Sequence, residues 1–214
     1  MKLRKLRTLP FIPTGHRVRL LLSAIRERLL GLDFSMPDRM YDRGREDGAM
    51  YVASPDDILN ALLSCVDTKK YRALLDIGCG KGYVLWRAKQ WGFTKIGGVE
   101  YDSSLYDICQ RNLKRLGLRS KVDITCTDAC VYKNYGSYNV FYFFNPFAEK
   151  VMAQVMGRIV EQCRGKEIMV IYYRPRYAQQ IEKFGFFQRT AVLYDKEKEY
   201  TAYVYYGAIP EESC

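Results

Sequence analysis

Along most of the chain, short solid runs of apolar residues alternate with stretches whose apolar positions fall three and four apart. Leu74, Leu75 and Ile77 form a run of buried-strand type that breaks at Gly78, Gly80 and Gly82. A helical pattern takes over near Tyr83 and stops at Gly92. Residues 95–100 repeat the move, with a strand ending in Glu100-Tyr101-Asp102. A helix capped by Ser103 or Ser104 then carries Leu105, Ile108, Cys109, Asn112, Leu113 and Leu116 at helical spacing up to Gly117. Residues 121–127 predict a third strand, which ends in Asp128-Ala129. Residues 140–144 are apolar on both faces, which predicts a central strand, and they run into Asn145-Pro146-Phe147. A helix over 149–163, a strand over 167–173 and a short helix from Pro175 to Lys183 follow. Two last strands, 187–194 and 201–207, flank the charged turn 195–199 and predict a hairpin.

Upstream of the first strand, Ser54 is expected to cap a helix whose first turn holds Pro55, Asp56 and Asp57 and which ends around Asp67. Residues 33–54 are polar, broken by Pro37, Gly44 and Gly48, and predict a loop or lid. From His16 to Leu32 the spacing of Val18, Leu21, Leu22, Ile25, Leu29 and Leu32 predicts an amphipathic helix, preceded by an extended arm with Pro10 and Pro13. The chain thus divides into a basic arm, helix and lid over 1–50 and a domain over 51–214. Alternating strands and helices imply an α/β fold with a doubly wound, Rossmann-like sheet of seven strands. It is mostly parallel, with right-handed crossovers and an antiparallel hairpin at the C-terminus.

The 214 residues are 48% hydrophobic and 27% charged, enough for one sizeable core and too apolar for a disordered chain. Without a run of about 18 apolar residues, no membrane-spanning helix is expected. The net charge is +10, and residues 1–30 hold eight Lys or Arg against Glu27 alone. Basicity therefore belongs to the arm. Its helix reads as an ordinary one with a charged face in water, or as one made for an anionic partner or membrane surface. An apolar stretch interrupted by Arg17, Arg19, Arg26 and Arg28 is not a signal peptide. Seven cysteines lie at irregular spacing, which suits free thiols in a cytoplasmic protein. A single histidine, His16, leaves no histidine-based metal site or triad, and no metal is expected.

Ligands of an open parallel sheet bind beyond the carboxyl ends of the strands, where the strand order reverses. The glycine loop stands at such an end. Its spacing, Gly-x-Gly-x-Gly with Asp76 two residues ahead, differs from the Gly-x-Gly-x-x-Gly of dinucleotide folds. A carboxylate at Glu100 suits the two hydroxyls of a ribose, in a NAD site as much as in any other nucleoside site.

Taken together, these strand ends resemble the class I methyltransferases that use S-adenosylmethionine, over residues 51–207. The resemblance implies that Asp76, Gly78, Gly80 and Gly82 lie against the methionine part of the cofactor. It gives the ribose to Glu100, with Tyr101 and Asp102 alongside, and the adenine amino group to Asp128. The backbone of Ala129 would reach a ring nitrogen. Helix capping is the alternative for Asp128. Tyr51, Ser54 and Pro55 match an entry segment that covers the methionine end in the same proteins. Asn145-Pro146-Phe147 resembles the Asn-Pro-Pro-aromatic motif of amino-group methyltransferases, where the Asn carbonyl and a proline carbonyl accept hydrogen bonds from the substrate NH₂.

One proline instead of two points away from a nucleobase. It points toward small bacterial methyltransferases with an Asn-Pro-Phe ending and, more distantly, the lysine methyltransferases of the ATP synthase c subunit. A plain strand-ending turn is the alternative for Asn145-Pro146. The implied function is methyl transfer to a nitrogen acceptor in a protein lysine, a small-molecule amine or RNA. Asn145, Pro146 and Phe147 would be the catalytic residues, and Phe147 and Tyr51 would face a developing positive charge. Two other readings remain. A NAD-type oxidoreductase is disfavoured by the glycine spacing and the closing hairpin. The other is a cofactor-binding module whose basic arm grips nucleic acid or membrane. Tyr142, Tyr172, Tyr203 and Tyr205 are expected to pack in the core and at the sheet edge.

Overall fold

The computed structural model describes residues 7–8, 27–34, 53–194 and 201–211. Tyr51, most of the arm, helix and lid expected over 1–50, and the turn 195–199 lie outside them. The strands are β1 (Arg7–Thr8), β2 (Ala73–Ile77), β3 (Lys95–Glu100), β4 (Asp123–Cys126), β5 (Val140–Phe144), β6 (Glu167–Tyr173), β7 (Phe187–Tyr194) and β8 (Thr201–Ala208). They form one sheet in the order β1-β7-β8-β6-β5-β2-β3-β4. Seven are the predicted strands, and two residues of the arm add an eighth at the edge, parallel to β7. β2 to β6 run parallel, and β8 lies antiparallel between β6 and β7 as the expected hairpin.

The helices are α1 (Asp56–Leu63), α2 (Tyr83–Gln90), α3 (Ser103–Arg115), α4 (Glu149–Gln162) and α5 (Gln179–Glu182). The chain lays β3 and β4 outward on one side of β2, then crosses back to place β5 on the other. The switch point thus falls between β2 and β5. The glycine loop leaves the first of these strands and Asn145-Pro146 leaves the second.

Central burial explains why β5 is apolar throughout. Val140 and Tyr142 join Leu74, Leu85, Cys109 and Ile171 on one face, while Phe141 and Phe143 join Leu75, Ile77, Met152 and Tyr172 on the other. Each such side chain contributes about 1.5–3 kcal/mol by leaving water. Tyr142, Tyr172 and Tyr205 are fully buried and Tyr203 packs partly buried against the same core, as expected.

Several expected boundaries and caps differ. Pro55, not Ser54, is the N-cap of α1, and it offers no side-chain bond. Ser54 turns inward instead, because the buried Tyr142 hydroxyl needs a partner and finds its Oγ at 2.8 Å. Asp102 caps α3 in place of Ser103 or Ser104, its carboxylate accepting from the N–H groups of Ser104 at 2.7 Å and Leu105 at 3.1 Å. α1 stops at Leu63 rather than near Asp67, since the N–H groups of Cys65 and Val66 swing to carbonyls three residues back. Pro175 opens no helix. Arg174 takes φ +51 and its carbonyl accepts from the Arg176 N–H at 2.8 Å, so the chain makes a tight turn before α5 begins. Of the predicted N-terminal helix, the end at residues 27–29 is helical, with Leu32 buried but Leu29 83% exposed.

Candidate active site

The loop between β2 and α2 turns through three left-handed glycines, Gly78 at φ +82, Gly80 at +50 and Gly82 at +86. At two of them a side chain is also excluded by contact. A Cβ on Gly78 would stand 2.8 Å from Cβ of Pro146, and one on Gly82 would stand 2.5 Å from Sγ of Cys109. The loop is therefore pinched between the Asn-Pro turn and α3.

Two carboxyl groups stand at this rim. Asp76 is 3% exposed and Glu100 8%. Oε2 of Glu100 accepts from the Gly80 N–H at 2.7 Å, and Oε1 accepts from the Asp102 N–H at 2.9 Å. Each oxygen keeps acceptor capacity for a ligand hydroxyl. Burial raises the pKa of Glu100 against the pull of backbone hydrogen bonds from Asp102, Gly80 and Tyr101. Burial also lifts Asp76 well above the usual carboxylate range, with the Glu100 charge adding to it. Desolvated like charges of this kind gain from a ligand that brings hydroxyl donors or a cation. Tyr101 sits 60% exposed at the edge of this group.

The end of β4 is built differently. Asp128 caps the 3₁₀ turn Ala129–Val131, its carboxylate accepting from the Cys130 N–H at 2.8 Å. The capping alternative is thus realised for it. Ala129 is buried, and its carbonyl accepts from the Tyr135 hydroxyl at 2.8 Å.

Across the switch point, Phe144 and Tyr173 are register partners at the ends of β5 and β6. The residues after them, Asn145 at φ +38 and Arg174 at φ +51, are the non-glycine residues with positive φ among those described. Among the described residues, Oδ1 of Asn145 is buried without a hydrogen-bond partner. Pro146 packs on Gly78. Phe147 sets its ring edge-on to Phe143 at 6.5 Å, within the core cluster beneath α4, so its recorded contact is one of packing. The Phe144 and Tyr173 rings lie 4.5 Å apart, and the Arg174 guanidinium stands 5.4 and 5.8 Å over them. The structure thus gathers Asp76, the three glycines, Glu100, Asn145 and Pro146 around one switch point. Ser54 comes near through Tyr142, which is two residues ahead of Phe144 on β5.

Asp33, Lys81 and Asn112, to which the sequence patterns assign no role at the site, complete the loop. Lys81, between Gly80 and Gly82, is fully buried and pairs with Asp33 at 2.7 Å. Asn112 on α3 accepts from the Asp33 N–H at 3.0 Å and donates to the carbonyls of Asp33 at 2.9 Å and Lys81 at 3.0 Å. The signal was present, since Asn112 is a polar residue amid Ile108, Cys109 and Leu113 on the apolar face of its helix. Phe34 follows Asp33 into the core and stacks on Trp86 at 5.6 Å.

In sequence, the model of the methyltransferase small domain family matches residues 47–203. No curated protein matches the chain. In structure, the chain is similar to an RNA methyltransferase from Salinibacter ruber in complex with S-adenosyl-L-homocysteine. The identity is 20% and the TM-score 0.57, over 76% of this chain and 97% of that one. It is also similar to the PH0226 protein of Pyrococcus horikoshii OT3, at 14% identity and a TM-score of 0.58, over 71% of this chain and 88% of the other. A variant of MtNAS in complex with S-adenosylmethionine aligns at 14% identity and a TM-score of 0.54, over 71% of this chain and 61% of that one. Likeness at such identities speaks for the fold, whereas the family match speaks for the chain itself and sets the NAD-type reading aside. With most of its length inside that match, the chain belongs to the methyltransferase small domain family, class I methyltransferases whose methyl donor is S-adenosylmethionine.

Proposed function

We propose that the protein transfers the methyl group of S-adenosylmethionine to a nitrogen acceptor held at Asn145-Pro146. The observation that carries this reading is the buried Oδ1 of Asn145, an acceptor with no donor among the described residues, on strained backbone at the switch point. Leaving such an atom unpaired costs about 1–3 kcal/mol, recovered when an N–H group arrives. A nitrogen with two hydrogens can serve this carbonyl and a main-chain carbonyl beside it, which turns its lone pair in a fixed direction. A hydroxyl brings one hydrogen, and a carbon acceptor brings no comparable donor.

The residues present fit the donor. Glu100 would take the ribose hydroxyls, Asp76 would favour a cationic ligand, and Gly78, Gly80 and Gly82 would let the methionine part lie against the backbone. When bound, S-adenosylmethionine supplies a methyl group on a sulfonium, with a neutral thioether as leaving group. The work left to the chain is to hold the acceptor nitrogen in line, close to that carbon, with its lone pair unprotonated. As the C–N bond forms the C–S bond breaks, and the surplus proton on nitrogen then leaves to solvent. Arg174 follows the neighbouring strand end and stacks over Phe144 and Tyr173.

Three acceptor classes carry a suitable nitrogen: protein lysine, small-molecule amine and RNA. An RNA methyltransferase is among the structural neighbours, so RNA is the first to try, although the single proline points away from a nucleobase. We place the protein in the cytoplasm, in keeping with the free cysteines among the described residues. The test is incubation with methyl-labelled S-adenosylmethionine and the RNA, protein and small-molecule fractions of a cell extract, followed by mass spectrometry of the labelled product. Label on nitrogen is expected, and label on oxygen or carbon overturns the reading. Asn145→Ala should bind the cofactor normally by calorimetry and lose about 10–100-fold in turnover, one or two hydrogen bonds' worth. Unchanged turnover would leave Asn145 a turn residue.

A further inference from the structure

We infer that Asp33 positions the cofactor loop, so that affinity for S-adenosylmethionine depends on residues 27–34, which precede the first core helix. The inference rests on the reading that the cofactor lies along Gly78 to Gly82. Lys81 sits between two left-handed glycines, where backbone freedom is greatest and a ligand would otherwise have to order the loop as it binds. Among the described residues, three side chains hold that stretch. Glu100 takes the Gly80 N–H, Asn112 takes the Lys81 carbonyl, and Asp33 takes the Lys81 ammonium at 2.7 Å.

The Asp33 contact differs from a surface ion pair. Its cation is fully buried, and its own backbone is gripped at both N–H and carbonyl by the one carboxamide of Asn112. Asn112 is itself buried, and the isosteric Asp could not make its two donated bonds. The segment is fixed on either side of the joint as well. Oε2 of Glu27 accepts from the Phe34 N–H at 3.0 Å, the Leu32 N–H donates to the Glu27 carbonyl at 2.7 Å, and the Leu32 and Phe34 side chains are buried. Loop and segment form one joint, and whatever tightens one tightens the other.

The experiment measures S-adenosylhomocysteine binding by calorimetry in the wild-type chain and in Asp33→Asn, with amide exchange of both followed in parallel. Asp33→Asn is expected to bind about 10–100-fold more weakly, to show a raised KM for S-adenosylmethionine, and to keep kcat at saturating donor. In the wild type, bound ligand should slow exchange at 27–34 as well as at 78–82. Val192→Ala, a core truncation in β7, serves as a control for general destabilisation and should leave affinity unchanged. If Asp33→Asn fails to fold, the double variant Asp33→Leu/Lys81→Met replaces the ion pair with apolar packing. The inference expects it to fold and still to bind weakly. Wild-type affinity in either variant overturns the positioning role and leaves the pair as a stabiliser alone. A wild-type chain that binds no ligand would instead sink the cofactor reading beneath it.

Discussion

The ends of β2 and β3 and the ends of β5 and β6 share one rim of the sheet, yet they are finished in opposite ways. At the first pair, left-handed turns fall on glycines, both oxygens of Glu100 receive backbone N–H groups, and the loop between is tied to α3 and to Asp33. At the second pair, left-handed turns fall on Asn145 and Arg174, and a buried carbonyl oxygen has no donor among the described residues. Strain and unmet hydrogen bonding persist in a folded chain only where the surroundings hold them, and they gather where ligands act. The difference fits two kinds of guest. On the proposed reading, the methyl donor would meet a ledge whose bonds are already made, and the acceptor a set of bonds that it completes itself.

Gly78 is where the two ends touch, so changing it is the hardest blow to the comparison. Gly78→Ala places a methyl 2.8 Å from Cβ of Pro146 at a φ of +82. Left-handed strain and overpacking together should cost roughly 2–4 kcal/mol. Calorimetric melting should then fall by roughly 5–15 °C for a chain of this size. Cofactor affinity and turnover at saturating donor should drop together, because the displaced Pro146 carries Asn145 with it. A loss confined to affinity would mean that the ends are independent.

Glu100→Ala tests the finished end alone. It removes the acceptor of two backbone N–H groups and the proposed partner of the ribose. With hydrogen bonds to a charged group worth about 1.5–3 kcal/mol each, affinity should weaken by about 100-fold. Turnover at saturating donor should change little, the reverse of Asn145→Ala. If both variants depress the same parameter, the division of labour between the two ends is wrong.

What could be read from the sequence follows the same division. A glycine loop, a carboxylate at a strand end and a closing hairpin are local signals, since the residue type states the backbone or hydrogen-bond requirement it meets. Glu100 and the glycines were legible for that reason, as was the central β5. The joint of Asp33, Lys81 and Asn112 was not, because its partners come from three separate stretches and each alone looks like ordinary surface or helix. Asn112 on an apolar face was the one visible hint. Caps were misread where a stronger competitor intervened. Asp102 outbid the serines after it, and the buried Tyr142 drew Ser54 away from its helix. Phe147 reads as part of a substrate motif in sequence but packs on Phe143, and no local pattern says toward which cluster a ring will turn.

The smallest effect concerns protons. Burial raises the pKa of both Asp76 and Glu100, so the apo protein keeps protons on them at pH values where exposed carboxyl groups have already lost theirs. A ligand bearing a sulfonium and an ammonium interacts best with the ionised forms and therefore lowers both pKa values on binding. The sign follows directly. Binding releases protons, and affinity climbs as pH rises from about 4 through the raised values, then levels once both groups are ionised without help. Each unit by which a pKa falls is worth at most tenfold, and several-fold over the whole climb is the expectation. Calorimetry over the climb, from about pH 4 upward, in two buffers of different ionisation enthalpy at each pH would reveal the release as a buffer-dependent heat, and Glu100→Gln should diminish it. Heats that do not depend on buffer, with affinity flat from about pH 4 upward, would mean that neither carboxyl group meets the cofactor's charge. The finished end would then be finished for structural reasons alone.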